Sequence, residues 1–109
     1  MFGDLGRMMK VVADVKRRMP EVQAELEASE FVGQAGDGAV RATVNGKLRL
    51  VDVAIDPDAL SDGRFDAAAL EDVIRAAVAA AQDKAADAAA RAMKELTGGI
   101  RIPGMEGLI

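Results

Sequence analysis

Near the start of the chain, apolar residues recur at alternating spacings of three and four: Leu5, Met8, Val12, Val15, Met19, Val22 and Leu26. This heptad-like seam predicts a helix over roughly residues 4–28, with Asp4 as its N-cap. Pro20 lies inside the pattern, where it removes one backbone hydrogen bond. Because the seam continues in phase past it, a kink is expected rather than two helices. The period then changes. SEFVGQA, the turn Gly36–Asp37–Gly38, the alternating Val40, Ala42 and Val44, the Asn45–Gly46 turn signal and a last run to Ile55 read as a three-stranded antiparallel meander. Asp56–Pro57 ends the last strand, since proline cannot donate to a ladder, and DPDALSDGR reads as a loop. After Asp66, the predicted cap, helical spacing returns at Leu70, Val73, Ile74, Ala77, Val78, Ala81, Ala85, Ala88, Ala92 and Leu96. Gly98–Gly99 stops this second helix. Residues 1–97 thus form one domain, and 98–109 a short apolar tail punctuated by glycine and proline, mobile or docked on a partner surface.

The central hairpin does not keep a single register. A three-residue turn at Val44–Asn45–Gly46, with Gly46 left-handed, sets Thr43 opposite Lys47, Ala42 opposite Leu48, Arg41 opposite Arg49 and Val40 opposite Leu50. Val51, Val53 and Ile55 then fall one step out of phase. Either a bulge at Leu50–Val51 absorbs the slip, or the far half of the strand buries its other face. A helix layer on one side and a second copy on the other would make both faces useful. Val40, Ala42, Leu48, Leu50, Val51, Val53 and Ile55 are therefore the candidate dimer interface. Helix length points the same way. At 1.5 Å per residue the two helices measure on the order of 35–45 Å, whereas a compact 100-residue domain has a radius of gyration of only about 13 Å.

Composition narrows the chemistry. Half of the 109 residues are apolar but only three are aromatic, so alanine and valine must supply the burial. There is no cysteine, which excludes disulfides and thiolate-ligated metals and suits a reducing cytoplasm. Histidine is also absent, which removes the commonest general base and metal ligand. The hydroxyls of Ser29, Thr43, Ser61 and Thr97 thus have no imidazole to activate them, and no glycine-rich loop has phosphate-binding spacing. Asp56, Asp58, Asp62 and Gly63 superficially suggest a calcium loop, but the EF-hand spacing fails at Leu60 and Ala69; these acids read as turn and cap residues. Neither an enzyme nor a metal or other cofactor is expected. The N-terminus MFGDLGRMMKVV lacks a signal-peptide pattern, and no apolar run approaches the roughly 20 residues of a membrane span. A cytoplasmic protein is expected, with no membrane partner and no small-molecule substrate.

The net charge of −4 argues mildly against a polyanionic partner, but the charges are unevenly placed. Residues 1–20 hold Arg7, Lys10, Lys16, Arg17 and Arg18 against Asp4 and Asp14, while residues 21–30 hold Glu21, Glu25, Glu27 and Glu30 and no cation. At about 100° per residue, Arg7, Lys10, Arg17 and Arg18 lie opposite the apolar seam and Lys16 flanks it. Most charge runs are solvated helix faces. Yet cations near a helix N-terminus oppose the macrodipole, so helix stability does not explain this placement. Lys84, Arg91 and Lys94 are weaker candidates, because Asp87 and Glu95 sit four residues either side of Arg91 and cations suit a helix C-terminus. Arg41, Lys47 and Arg49 read as the polar side of the hairpin.

In order along the chain stand MFG before a methionine-rich helix, VNG at 44–46, VAIDPDAL at 53–60, LEDVIRAA at 70–77 and a tail with Pro103–Gly104. In these motifs and their order the sequence resembles the YbaB/EbfC family of bacterial nucleoid-associated proteins over essentially its full length. The resemblance implies an α+β fold of order α-β-β-β-α, a tight homodimer that pairs the two sheets, helices projecting as arms, and binding of double-stranded DNA in the nucleoid. The arm cations become the expected DNA-binding residues, through phosphates and with little sequence selectivity. Two features depart from the family pattern: Pro20 in the first helix and the alanine richness of the second. A non-enzymatic dimeric adaptor, holding a DNA repair or replication protein through the alanine-rich helix and apolar tail, is the alternative; the acidic net charge and scarcity of stacking aromatics favour it.

Overall fold

The computed structural model describes residues 2–98, so the tail from residue 99 onward lies outside the described residues. The elements are α1 (Phe2–Ala28), β1 (Glu30–Ala35), β2 (Val40–Asn45), β3 (Leu50–Ile55), α2 (Pro57–Ser61) and α3 (Ala67–Leu96). The strands form one antiparallel sheet in the order β1-β2-β3, which is the expected meander. Between β1 and β2 the chain reverses through left-handed Gly36 (φ 64), Asp37 (φ 56) and Gly38 (φ 86). Two of the three positions are glycines, for which that conformation carries no steric cost.

α3 begins where Asp66 caps it, its carboxylate accepting from the Ala69 N–H at 2.8 Å. It ends at Thr97, followed by Gly98 at φ 65, a left-handed stop after the last turn. Its alanine stripe lies on the sheet. Ala77, Ala81 and Ala85 pack on Val40, Ala42 and Val44 of β2, with Phe31, Val53, Ile55 and Val73 among the residues around them. The small side chains let the backbones approach. At Gly33 of β1 a Cβ would collide with the carbonyl oxygen of Ala77 and the amide nitrogen of Ala81, so only glycine fits there. Beyond the sheet, Met93 and Leu96 of α3 close a second small core against Val11, Val15, Met19 and Val22 of α1. The N-terminal turns of α1 continue past that contact into solvent. The molecule measures 69 × 21 × 15 Å with a radius of gyration of 19.3 Å, against about 13 Å for a compact chain of this length. The expected overhang of the helices is therefore real.

Two local expectations are corrected here, the cap of α1 and the loop after β3, while α1 runs as one helix through Pro20 as expected. α1 starts at Phe2, and Asp4 lies in its first turn instead of capping it; an acid there still complements the positive end of the helix. Pro20 neither splits the helix nor interrupts its packing. It is exposed, so the carbonyl four residues before it, deprived of a donor, has water within reach, while Met19 and Val22 hold the seam on α3. The stretch DPDALSDGR is not all loop: α2 forms within it, Pro57 taking the first helical position and Asp56 capping it by accepting from the Asp58 N–H at 3.0 Å.

The hairpin register is the largest correction. Val40 pairs with Ile55, Arg41 with Ala54, Ala42 with Val53 and Thr43 with Asp52, then Val44 with Leu50. Val51 is thus the extra residue of a bulge at the expected place, but the turn is longer than three residues. Asn45 explains it. Buried at 8% exposure, its side-chain oxygen accepts from the N–H groups of Lys47 (2.9 Å) and Arg49 (3.0 Å). Its backbone binds Leu48 and Arg49. The left-handed residue is Leu48 (φ 68), not Gly46. Gly46 is needed for a different reason: its N–H donates to the Leu26 carbonyl at 2.7 Å, and a Cβ would lie 2.8 Å from the Leu26 Cα. The hairpin is thereby fastened to the root of α1.

Candidate nucleic-acid interface

α1 positions its cations by projecting beyond the other described elements. Arg7, Lys10, Lys16, Arg17 and Arg18 are all exposed. Among the described residues, Arg7, Lys10, Lys16 and Arg18 form no salt bridge. Arg17 pairs with Asp14 at 2.6 Å, with both side chains at least half exposed. A surface pair of that kind contributes at most about 1 kcal/mol, so it competes weakly with a phosphate. The seam on the other side of α1 is held by Met93 and Leu96, which fixes the direction in which these cations point.

The α3 cations are differently occupied. The Lys84 ammonium donates to the Val32 carbonyl at 2.7 Å, satisfying an acceptor on the edge strand β1. Arg91 reaches back along its own helix to the Asp87 carbonyl oxygen at 3.4 Å, not to the carboxylate. Lys94 is exposed in the last turn, where it complements the helix dipole. In the hairpin, Lys47 pairs with Glu27 at 3.5 Å and ties the turn to the acidic root of α1. Arg41 and Arg49 are exposed. The five α1 cations are therefore exposed along one helix, Lys16 beside the apolar residues Leu5, Met8 and Val12 and the others away from them, and the set does not extend to Lys84.

The candidate dimer residues separate into two groups. Val40 and Ala42 are fully buried beneath α3 and offer no surface, and Val53 and Ile55 pack on the same core. Leu48, Leu50 and Val51 are exposed, Leu50 at 47% and Val51 at 54%, on or beside the edge strand β3. Sequence reasoning could not make this division, because it depends on α3 lying over β1 and β2 while β3 is left at the margin.

The acids of the α2 region act locally. Asp56 caps α2, and Asp62 accepts from the Arg64 N–H at 3.0 Å and pairs with its guanidinium at 2.8 Å. Among the described residues no three metal-ligating side chains converge, and no helix is long and apolar enough to cross a membrane.

The described residues thus form an α+β scaffold that presents a basic helix to solvent. The chain belongs to the YbaB/EbfC DNA-binding family, whose model matches residues 1–100. That family is nucleoid-associated and is not an enzyme class. The chain is 39% identical over 102 residues to a nucleoid-associated protein of Clostridium novyi (strain NT), covering 94% of this chain and 88% of the relative. It is 40% identical over 101 residues to one from Anaeromyxobacter dehalogenans (strain 2CP-C), covering 93% and 89%. The fold matches the crystal structure of an uncharacterized Helicobacter pylori protein with a TM-score of 0.58 at 19% identity, over 73% of this chain and 90% of that one.

Proposed function

We propose that this protein binds duplex DNA as a homodimer, the exposed cations of α1 contacting phosphates. The observation that carries the reading is the cluster of Arg7, Lys10, Lys16, Arg17 and Arg18 on a projecting helix, four of them without an acidic partner among the described residues. Cations placed against the helix dipole are explained by an external anion better than by folding. Phosphate contact carries no base readout, so binding is expected to be nearly indifferent to sequence. The test is a salt titration with a short duplex: log K should fall linearly with log[salt], with a slope of about −0.9 per phosphate neutralised. Absence of binding at about 50 mM salt, or a flat salt response, would overturn the reading.

Dimerisation is supported by β3. An edge strand exposing Leu50 and Val51 is a template for strand pairing, which proteins normally cover or charge. Two-fold pairing there would present both arms to one duplex. Changing Leu50 and Val51 together to aspartate should convert a dimer to a monomer in sedimentation velocity, at unchanged helix content. A double variant that sediments like the parent removes β3 from the interface. Ala77, Ala81 and Ala85 are fully buried on the chain's own sheet, so an adaptor would have to use the exposed faces of α3, which carry Ala76, Ala79 and Ala86.

A further inference from the structure

Both margins of the sheet are strands with a free side, β1 at one end and β3 at the other. On β1 the free backbone groups can be assigned. The Asp56 N–H donates to the Ala39 carbonyl at 2.8 Å beside the Val40–Ile55 pair, so Val40 turns its own backbone groups towards β1. The alternation carries Ala42 and Val44 the same way, and they exchange bonds with Gly33 and Phe31. Val32, between those two, therefore presents its N–H and carbonyl to the open side of β1. That carbonyl is the one the Lys84 ammonium occupies at 2.7 Å. α3 holds the lysine in place: Ala81, one turn earlier, lies so close to β1 that a Cβ on Gly33 would collide with its amide nitrogen. On β3 the same alternation turns Val53 and Ile55 outward, and among the described residues no side chain donates to either carbonyl.

We infer that Lys84 closes the β1 edge to strand pairing and so makes a pair of chains the end of assembly; the inference rests on the β3 pairing proposed above. A strand added to β1 would need the Val32 carbonyl for its own N–H, and Val32 lies near the middle of that six-residue strand. The ammonium would have to be pulled off and left beneath the incoming chain, where a charge without a partner is costly. Whether one edge is open or two decides the kind of assembly. A sheet with one pairing edge joins a second copy about a two-fold axis and stops, whereas a sheet with two continues from copy to copy as an open filament. Lys84 thus does for β1 the opposite of what the exposed Leu50 and Val51 do for β3.

Sedimentation velocity on the full chain tests this. Lys84→Met keeps the stem of the side chain and loses the donor. At unchanged helix content, its weight-average mass should reach about twice the parent's or more and keep rising over a roughly tenfold increase in concentration, as open-ended growth requires. Lys94→Met loses the same charge from an exposed position in the last turn of α3 and should sediment like the parent. Adding Leu50→Asp and Val51→Asp to Lys84→Met should stop growth at a pair, since each sheet then keeps one pairing edge. A Lys84→Met variant that sediments like the parent overturns the inference, whether the parent is a pair or a single chain. Equal growth of Lys94→Met, or species larger than a pair in the triple variant, overturns it as well. The β3 reading is judged separately, on the parent and on the Leu50/Val51 double variant, so either can fail without the other.

Discussion

Duplex affinity is expected to fall by about 10³-fold or more near 50 mM salt when Arg7, Lys10, Arg17 and Arg18 are changed together to glutamate. Each cation that meets a phosphate releases a condensed counterion, and each glutamate in its place adds repulsion at the same point. The loss should appear mainly as a shallower salt slope, because the released ions and not short-range contacts set the affinity. All four side chains are exposed and none belongs to either core, so the fold has little stake in them. Acids near the N-terminus of α1 even favour its dipole, by a few tenths of a kcal/mol each. Circular dichroism and sedimentation should therefore match the parent while binding disappears. Arg17→Gln alone should do much less, since Asp14 already shares that guanidinium. An unaltered affinity in the fourfold variant would remove α1 from the interface.

Gly33→Ala is expected to be the most damaging single methyl in the protein. Its Cβ would meet the Ala77 carbonyl oxygen and the Ala81 nitrogen, with the Ala80 carbonyl carbon at 2.9 Å. These are backbone atoms of a long helix, so no rotamer change can clear them. Either β1 or α3 must shift, and both frame the same core of Val40, Ala42 and Val44. The cost should reach the upper part of the overpacking range, about 3 kcal/mol. For a domain this size that lowers Tm by about 15 °C, and Gly33→Val should not fold. Gly6→Ala is the matched comparison: nothing lies within 4 Å of its Cβ, and α1 should gain about 0.5–1 kcal/mol. A Gly33→Ala melt within about 3 °C of the parent would show that the close approach is not rigid.

What the sequence revealed and what it hid have physical causes. Long periodic segments were legible, because one buried face repeated over many turns leaves a pattern that a single residue such as Pro20 does not erase. The bulge at Val51 was legible for the same reason: the alternation before it and after it are each regular. The turn between β2 and β3 was not. Its length depends on Asn45 accepting two N–H groups from beyond Gly46, and on Gly46 being held against Leu26, a residue twenty positions away in another element. An Asn–Gly pair announces a turn but not which of its residues goes left-handed. Among the charges, clustering on α1 could be read directly, whereas the engagement of Lys84 with Val32 could not, since it is a contact across 52 positions.

The fastening of Gly46 to Leu26 has a mechanical side. α1 meets the rest of the chain at its root, through that hydrogen bond and the Lys47–Glu27 pair, and again near its middle through Val15. Everything from there to Phe2 is a cantilever. From Val15 to Phe2 the helix spans about 20 Å, so a tilt of about 9° sweeps the tip through about 3 Å. That is the length of a hydrogen bond. The hairpin glycine, at the opposite end of α1 from Arg7 and Lys10, thus bears on the aim of the proposed phosphate-contacting cations, and in the proposed dimer the spacing between two such arms would be tuned from the sheet outward.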